Sequence, residues 1–448
     1  MSSLKQLAIK GTMWTLIGYG GSQVLRLGSN LILTRLLVPE LFGLMALVNT
    51  FITGLNLFSD IGINPSIVRS ERGEDPDFLN TAWTLQVIRG FGLWIGCWLI
   101  AFPVSQFYDE PKLIWLITIV GFNTILSGFN STSLAVLNRK IEIGKLTLIE
   151  ITTQITSLTV MIIWAFFQPT IWALVIGTLM SNIVKLSWSH YISPIHHRFT
   201  WNQDCLKELV TFGRWIFIST AMTFLASQAD RLILGKLVSI EMLGVYTIAL
   251  TFADIPKQVA GKVSDKIIFP LISQNIFLPR KQLKAKILDK RFYLLLISAI
   301  LIAILFSFGD VLINILYDER YISASWMLPF LALGLWPLIL SLTIDKILFA
   351  LGNPKFVSLG NIVKFIYMIV LLPWMIKTYG ILGGIIVIAF NDIPFYLVVT
   401  YGLYKENFVS LLQDLKTTII LIMLSLILSL GRFIFGFGFS LSTITNLQ

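Results

Sequence analysis

Charge is what this sequence has least of. Asp, Glu, Lys and Arg make up 13% of its 448 residues, against about 25% in an ordinary soluble chain. A surface so poor in charge has lipid, not water, for its main solvent. Cysteine is nearly missing. Cys97 and Cys205 lie far apart and give neither a disulfide framework nor metal-ligand spacing. The three histidines, His190, His196 and His197, form no His-Glu-x-x-His motif. No cofactor and no metal are therefore expected. No secretory signal is expected, because no small-residue cleavage site follows the first apolar run. The net charge of +10 would suit nucleic acid in a soluble protein. Here most of the excess lies in loops, as positive-inside topology requires, and no nucleic-acid partner is expected.

What is present is apolar length. Hydrophobic residues make up 56% of the chain and mean hydropathy is +0.80. A spanning helix needs about 20 apolar residues. Twelve stretches qualify: 11–35, 42–68, 80–103, 113–137, 146–167, 170–191, 211–237, 243–270, 292–316, 325–351, 357–377 and 380–404. A thirteenth, 416–439, extends the C-terminus. With the N-terminus cytoplasmic, 19 loop cations fall inside and 5 outside, which sets the orientation. Trp14, Trp115, Trp201 and Trp374 lie near predicted ends, where interfacial aromatics belong.

The chain also repeats itself. At a shift of 201, Leu31, Ile32, Leu33, Leu36, Glu40 and Gly43 fall on Leu232, Ile233, Leu234, Leu237, Glu241 and Gly244. At a shift of 214, Ile125, Leu126, Ser127, Leu134 and Leu137 fall on Ile339, Leu340, Ser341, Leu348 and Leu351. Six spans per half with parallel repeats predict an all-α integral membrane protein of two pseudo-symmetric six-helix bundles, plus an extra C-terminal helix. The expected divisions are an N-terminal lobe 1–191, a cytoplasmic linker 192–210, a C-terminal lobe 211–404 and an extension 405–448.

Charges inside the spans are the candidate functional residues. Arg26, Arg89 and Arg231 each lie well inside a helix. At about 2.5–3.5 kcal/mol per central charge, three cost roughly 8–10 kcal/mol against lipid, so they must face protein or water. Tyr19, Gln23, Arg26 and Asn30 are spaced 4, 3 and 4, forming one polar stripe on an apolar helix. Gln86 and Arg89 repeat the device. Asn30 corresponds to Arg231 in the repeat, so the two lobes would present equivalent faces to a central cleft. Lys257, Lys262, Lys346 and Lys364 add positive charge, whereas Lys185, Lys266 and Arg432 are expected to reach for the headgroups. Asp60, Asp230, Asp254, Asp345 and Asp392 are acids in or near spans. Asp230 and Asp345 adjoin Arg231 and Lys346 as sequence neighbours, which suggests paired charges. Asp60, Asp230, Asp254 and Asp392 are the candidates for ion coupling. Asp254-Ile-Pro256 and Asp392-Ile-Pro394 are two copies of an acid beside a predicted proline kink. Buried arginine argues for an anionic ligand, because guanidinium grips phosphate oxygens bidentately and keeps its charge when desolvated.

Five stretches carry a family resemblance. They are FSDIGINPSIVRSERGEDPDFLNTAW (58–83), VLNRKIEIGKLTLIEI (136–151), SQADRLILGKLVSIEMLGVYTIAL (227–250), LYDERYISASWMLPFLALG (316–334) and LFALGNPKF (348–356). On these the chain resembles the polysaccharide transporter (Wzx-like oligosaccharide flippase) family of the multidrug/oligosaccharidyl-lipid/polysaccharide exporter superfamily. The resemblance implies two six-helix bundles around a cleft that opens to either side in turn. It implies a flippase for undecaprenyl-pyrophosphate-linked oligosaccharides in the cytoplasmic membrane, with no enzymatic activity. It also implies a cationic cleft lined by spans 1, 2, 7 and 8. Membrane lipids and the lipid-linked oligosaccharide are the expected partners, a polysaccharide polymerase is a further one, and a monomer is the default.

Two other readings stand beside this. A cation-coupled multidrug exporter would favour an acidic or aromatic pocket, and the buried arginines speak against it. A membrane glycan polymerase or ligase would need a large outer loop, and the outer connections 103–112 and 317–324 are short.

Overall fold

The computed structural model describes residues 4–268, 271, 272, 275, 277–351, 353–436 and 438; the side chains of 4–13, 15–17, 19, 210–220, 266 and 267 lie outside that description. Among the described residues every regular element is helical. By internal packing the chain divides into residues 1–224 and 225–448. The first unit holds α1 (Leu4–Leu36), α2 (Pro39–Phe58), α3 (Ile63–Arg69), α4 (Pro76–Tyr108), α5 (Lys112–Gly121), α6 (Asn123–Gly128), α7 (Ser133–Arg139), α8 (Ile143–Phe167) and α9 (Trp172–Tyr191). The division falls inside α10 (Gln203–Leu237). The second unit continues with α11 (Ile240–Ala253), α12 (Ile255–Val263), α13 (Arg280–Leu316), α14 (Ser323–Gly334), α15 (Trp336–Leu342) and α16 (Lys346–Ala350). It ends with α17 (Lys355–Ala389), α18 (Asp392–Lys405) and α19 (Leu411–Ile434). The expected linker 192–210 is thus irregular only as far as residue 202.

Seven helical runs among the described residues are long and apolar enough to cross a membrane. The bent pair Lys112–Gly128 and Ser133–Arg139, turned by 61°, makes an eighth. The chain is a multi-pass, all-helical membrane protein. Predicted spans 11–35, 170–191 and 211–237 fall on α1, α9 and α10. Five predicted spans are corrected from continuous helices to broken ones; stretch 42–68 becomes α2 and α3. Stretch 113–137 becomes α5, α6 and α7, and 325–351 becomes α14, α15 and α16. Stretch 243–270 breaks at Asp254 into α11 and α12, followed by a π-helical turn, Ser264–Ile268. Stretch 380–404 breaks at residues 390 and 391, and Gly380, with φ of +63°, interrupts α17 just before it. The prolines explain two breaks. Pro256 occupies the first turn of α12, where its missing N–H leaves no hydrogen bond unmade. The predicted proline kinks are therefore helix ends, with Asp254 and Asp392 standing at them.

The repeat is visible in the helix limits. α1 ends at Leu36 and α10 at Leu237; α2 begins at Pro39 and α11 at Ile240, 201 positions apart in each case. Glu40 and Glu241 occupy the first turns of α2 and α11, where the helix dipole favours an acid. α6 and α15 end 214 positions apart, at Gly128 and Leu342. Each half therefore carries a broken span at the same place. In both halves glycine lets backbone approach the break. A Cβ on Gly90 would lie 2.7 Å from the Thr124 carbonyl oxygen, and one on Gly334 would lie 2.0 Å from that of Ala389.

The irregular stretch 192–202 lies along α4. The backbone N–H groups of Arg198, Thr200 and Asn202 donate to the side chains of Asn80, Thr84 and Thr81 at 3.1, 3.0 and 3.4 Å. His197 stacks on Trp83 with ring centroids 5.1 Å apart and hydrogen-bonds the Ser131 hydroxyl at 2.9 Å. Burial, helped by the neighbouring His190, pushes the His197 imidazole down from 6.5 to about 4.

α19 is not a loosely attached extension. Arg291 of α13, one of the 19 cations expected in the inside loops, is fully buried and pairs with Asp414 at 2.6 Å. It also donates to Thr343 Oγ1 (2.8 Å), Ser410 Oγ (3.0 Å), Gln413 Oε1 (2.9 Å) and the Leu340 carbonyl (2.8 Å). Arg432 is likewise corrected. Rather than reaching for headgroups it is buried, and it pairs with Asp310 at 2.5 Å. Two buried ion pairs thus tie α19 to α13, each cation neutralised where lipid would make it costly.

Candidate functional site

Each unit contains a polar cavity at its helix breaks. Irregular backbone at membrane depth is tolerated where it is buried in protein or lines a cavity, and both cavities follow that rule.

The cavity of the first unit has a volume of about 260 Å³. It sits where α2 stops at Phe58 and α6 stops at Gly128. α4 serves both helix ends from one face, because Gln86 and Arg89 are three residues apart. Arg89 Nε donates to the Ser59 carbonyl (2.9 Å) and hydroxyl (3.0 Å), and Nη2 donates to the Asn56 carbonyl (2.7 Å). Gln86 Nε2 is shared among the carbonyls of Ser127, Gly128 and Asn130, each at 3.1 Å. Asp60 lines the same cavity and accepts the Gly62 N–H at 2.9 Å. Lys185 of α9 also lines it, which corrects the expectation that this lysine simply reaches for headgroups.

The cavity of the second unit has a volume of about 160 Å³. It gathers Asp230 and Arg231 of α10, Tyr246 of α11, Asp254, Lys257 of α12, Lys364 of α17 and Asp392. Lys364 Nζ lies 2.5 Å from Asp392 Oδ1, with both side chains largely buried. Lys257 Nζ lies 3.5 Å from Asp254 Oδ1. The Tyr246 hydroxyl donates to Asp230 Oδ2, and Arg231 Nη1 donates to Gln228 Oε1 at 2.6 Å. The other oxygen of Asp230 is buried without a hydrogen-bond partner.

Six of the sequence-derived charges therefore meet in the second cavity, namely Asp230, Arg231, Asp254, Lys257, Lys364 and Asp392. Asp60, Gln86 and Arg89 meet in the first. Others stand elsewhere. Gln23, Arg26 and Asn30 are half-buried on α1 and line neither of these two cavities. The Tyr19 and Lys266 side chains lie outside the described residues. Lys262 is exposed. Lys346 pairs with Asp265 at 3.3 Å. Neither lysine lines the second cavity. The pairings suggested by adjacency are corrected: Asp230 takes Tyr246 rather than Arg231, and Lys346 takes Asp265 rather than Asp345. Consecutive helical residues project about 100° apart, so sequence neighbours seldom pair. Sequence reasoning missed Tyr246, Gln228 and Asn130. Tyr246 reads as one more aromatic in an apolar run until α11 packs it against Asp230.

This architecture is an all-helical membrane fold with broken spans. Its likeness to the solved structure of the lipid II flippase MurJ has a TM-score of 0.73 at 14% identity, covering 95% of this chain and 99% of that one. A sequence profile of the family described as polysaccharide biosynthesis protein matches residues 32–326. The chain belongs to that family. It is similar to the teichuronic acid biosynthesis protein TuaB of Bacillus subtilis (strain 168), with 22% identity over 276 residues, 61% of this chain and 57% of that protein. It is also similar to the lipopolysaccharide biosynthesis protein WzxC of Escherichia coli (strain K12), with 21% identity over 278 residues, 61% of this chain and 56% of that protein. The matched stretches thus span less than two thirds of either relative.

Proposed function

We propose that this protein flips a lipid-linked oligosaccharide, of the undecaprenyl-pyrophosphate type, across the cytoplasmic membrane by alternating access, during synthesis of a cell-surface polysaccharide. One observation carries the reading: paired acids and bases fill a small cavity inside apolar, membrane-spanning helices, in a chain of the polysaccharide biosynthesis family. Such a cavity can take the pyrophosphate headgroup by exchanging its own ion pairs for phosphate contacts, while the prenyl tail stays in lipid. Arg231, Lys257 and Lys364 are the headgroup ligands in this reading. Asp392 and Asp254 hold the two lysines until substrate arrives. Asp230, with one buried oxygen unpartnered, is the acid best placed to exchange a proton or cation. The names of TuaB, WzxC and MurJ support the same substrate class. The excess of loop cations on one side supports a cytoplasmic N-terminus, and a glycan polymerase is the downstream partner this reading calls for.

The test is flipping in liposomes. A fluorescent prenyl-pyrophosphate oligosaccharide is loaded, and its access to an outside quencher is followed for wild type, Arg231→Ala and Lys257→Ala. Wild type is expected to flip the lipid and both variants to lose most of that rate while remaining folded. A wild type inert to such lipids that extrudes an organic cation down a proton gradient sinks the reading.

A further inference from the structure

The reading above uses the cavity of the second unit and gives the larger cavity of the first no role. That first cavity is lined differently. Four amide side chains, Asn56, Asn64, Gln86 and Asn130, share it with two bases and one acid. The bases, Arg89 and Lys185, make no ion pair with a carboxylate among the described residues. Arg89 spends Nε and Nη2 on the end of α2, which leaves Nη1 for the cavity. Asn130 is only 8% exposed, and its Oδ1 has no hydrogen-bond partner. A buried acceptor left open costs about 1–3 kcal/mol, and a small turn of the Asn130 side chain toward a ligand hydroxyl in this cavity would relieve it. Amides offer donors and acceptors together, which is the match for vicinal hydroxyls. Two bases against one acid leave the cavity with an excess positive charge, which asks for negative charge on the same ligand. At about 260 Å³ the space is smaller than the roughly 300–1,000 Å³ of drug-sized pockets. It suits one ring rather than a chain.

We propose that the cavity between α4, α6 and α9 is a subsite for a single acidic sugar residue, a pyranose bearing a carboxylate. Lys185 and Arg89 face the carboxylate, and Asn130 and Gln86 face the hydroxyls. The inference rests on the flippase reading in one respect only, that such a sugar would belong to the transported glycan. Selection among lipid-linked glycans would then occur in the first unit, apart from headgroup binding in the second.

Binding of a free sugar needs no transport, so the two readings fail separately. The full-length protein in nanodiscs is examined by saturation-transfer difference NMR with free glucuronate, glucose, acetate and inorganic phosphate. Glucuronate is expected to bind about tenfold more tightly than any of the other three, equivalent to about 1.4 kcal/mol. Lys185→Met and Asn130→Leu should each weaken glucuronate by about fivefold or more, while Lys112→Met, at an exposed pair with Glu40, leaves it unchanged. Lys185→Gln stands in if Lys185→Met does not fold. Equal binding of glucose removes the acidic requirement and overturns the proposal. Phosphate or acetate binding as tightly as glucuronate makes this a plain anion site and overturns it too. So does glucuronate binding that neither variant weakens.

Discussion

Where α6 stops in the first unit, its open carbonyls are taken by the neutral amide of Gln86 from α4. Where α15 stops in the second, the Leu340 carbonyl is taken by the guanidinium of Arg291 from α13. The two helices start 204 positions apart, at Pro76 and Arg280, so Gln86 and Arg291 occupy nearly equivalent places. A guanidinium donates to more groups than an amide, but it carries a charge that must be neutralised away from water. The second unit meets that cost with Asp414 on α19. The cavities show the same contrast. In the second unit two of the three bases pair with carboxylates; in the first, Arg89 and Asp60 are held by backbone, and Lys185 makes no ion pair among the described residues. A broken membrane helix can thus be closed by neutral or by ionic chemistry. At the α15 break the ionic solution recruits a further helix, whereas Arg89 at the end of α2 keeps its charge without an ion pair among the described residues.

The sharpest way to break this comparison is Arg291→Met. It strands Asp414 in the interior and should cost about 3–5 kcal/mol, as removal of one partner from a buried ion pair does. Thermal unfolding in detergent is the measurement. The double variant Arg291→Met/Asp414→Leu should recover most of the loss, and an unaltered melting curve for the single variant refutes the role given to α19. Next comes Lys364→Met. With Asp392 left alone it should lose about 3 kcal/mol, and adding Asp392→Asn should restore folding but not flipping. A mutant that folds and flips normally would show that the pair is incidental.

Carrying the second unit's chemistry into the first sharpens the contrast. Gln86→Leu leaves three carbonyls without their donor and should cost about 1–3 kcal/mol. Gln86→Arg should not stabilise, because no carboxylate equivalent to Asp414 stands there among the described residues; a gain in melting temperature would contradict that. The smallest effect concerns the stretch 192–202. His197 is held near 4 in the folded protein against 6.5 when free, so below pH 6.5 the released histidine binds a proton that the docked one refuses. Docking is therefore fully stable above pH 6.5 and weakens as pH falls toward 4. Limited proteolysis across 192–202 should quicken over that interval, and His197→Phe should flatten the dependence.

Much of this was legible in the residues. Apolar length announced the membrane, and the shifts of 201 and 214 announced repeated helix ends. The Gln86/Arg89 spacing marked one polar face of α4, and six of the listed intramembrane charges do converge. The helix breaks were less legible. A bilayer-length apolar run looks the same whether the helix inside it is whole or broken, and only packing against another broken element, as at Gly334 and Ala389, distinguishes the two. Arg291 and Arg432 misled for a related reason. A cation near a span's end reads as a loop cation, as Arg291 did, or a headgroup contact, as Arg432 did, unless the acid that neutralises it, more than a hundred residues away, is known to be adjacent.

The sequence by itself determined that the chain lives in lipid, that it repeats, and that charge is buried within its spans, because composition, periodicity and spacing are local properties. Tertiary structure decided which charge meets which. It turned Asp230 toward Tyr246 and away from Arg231, gave Asp414 to Arg291, and left Lys185 and Asn130 facing an open cavity. Pairing depends on where helices far apart in the chain come to rest against one another, and at short range in a low dielectric that placement outweighs adjacency in sequence.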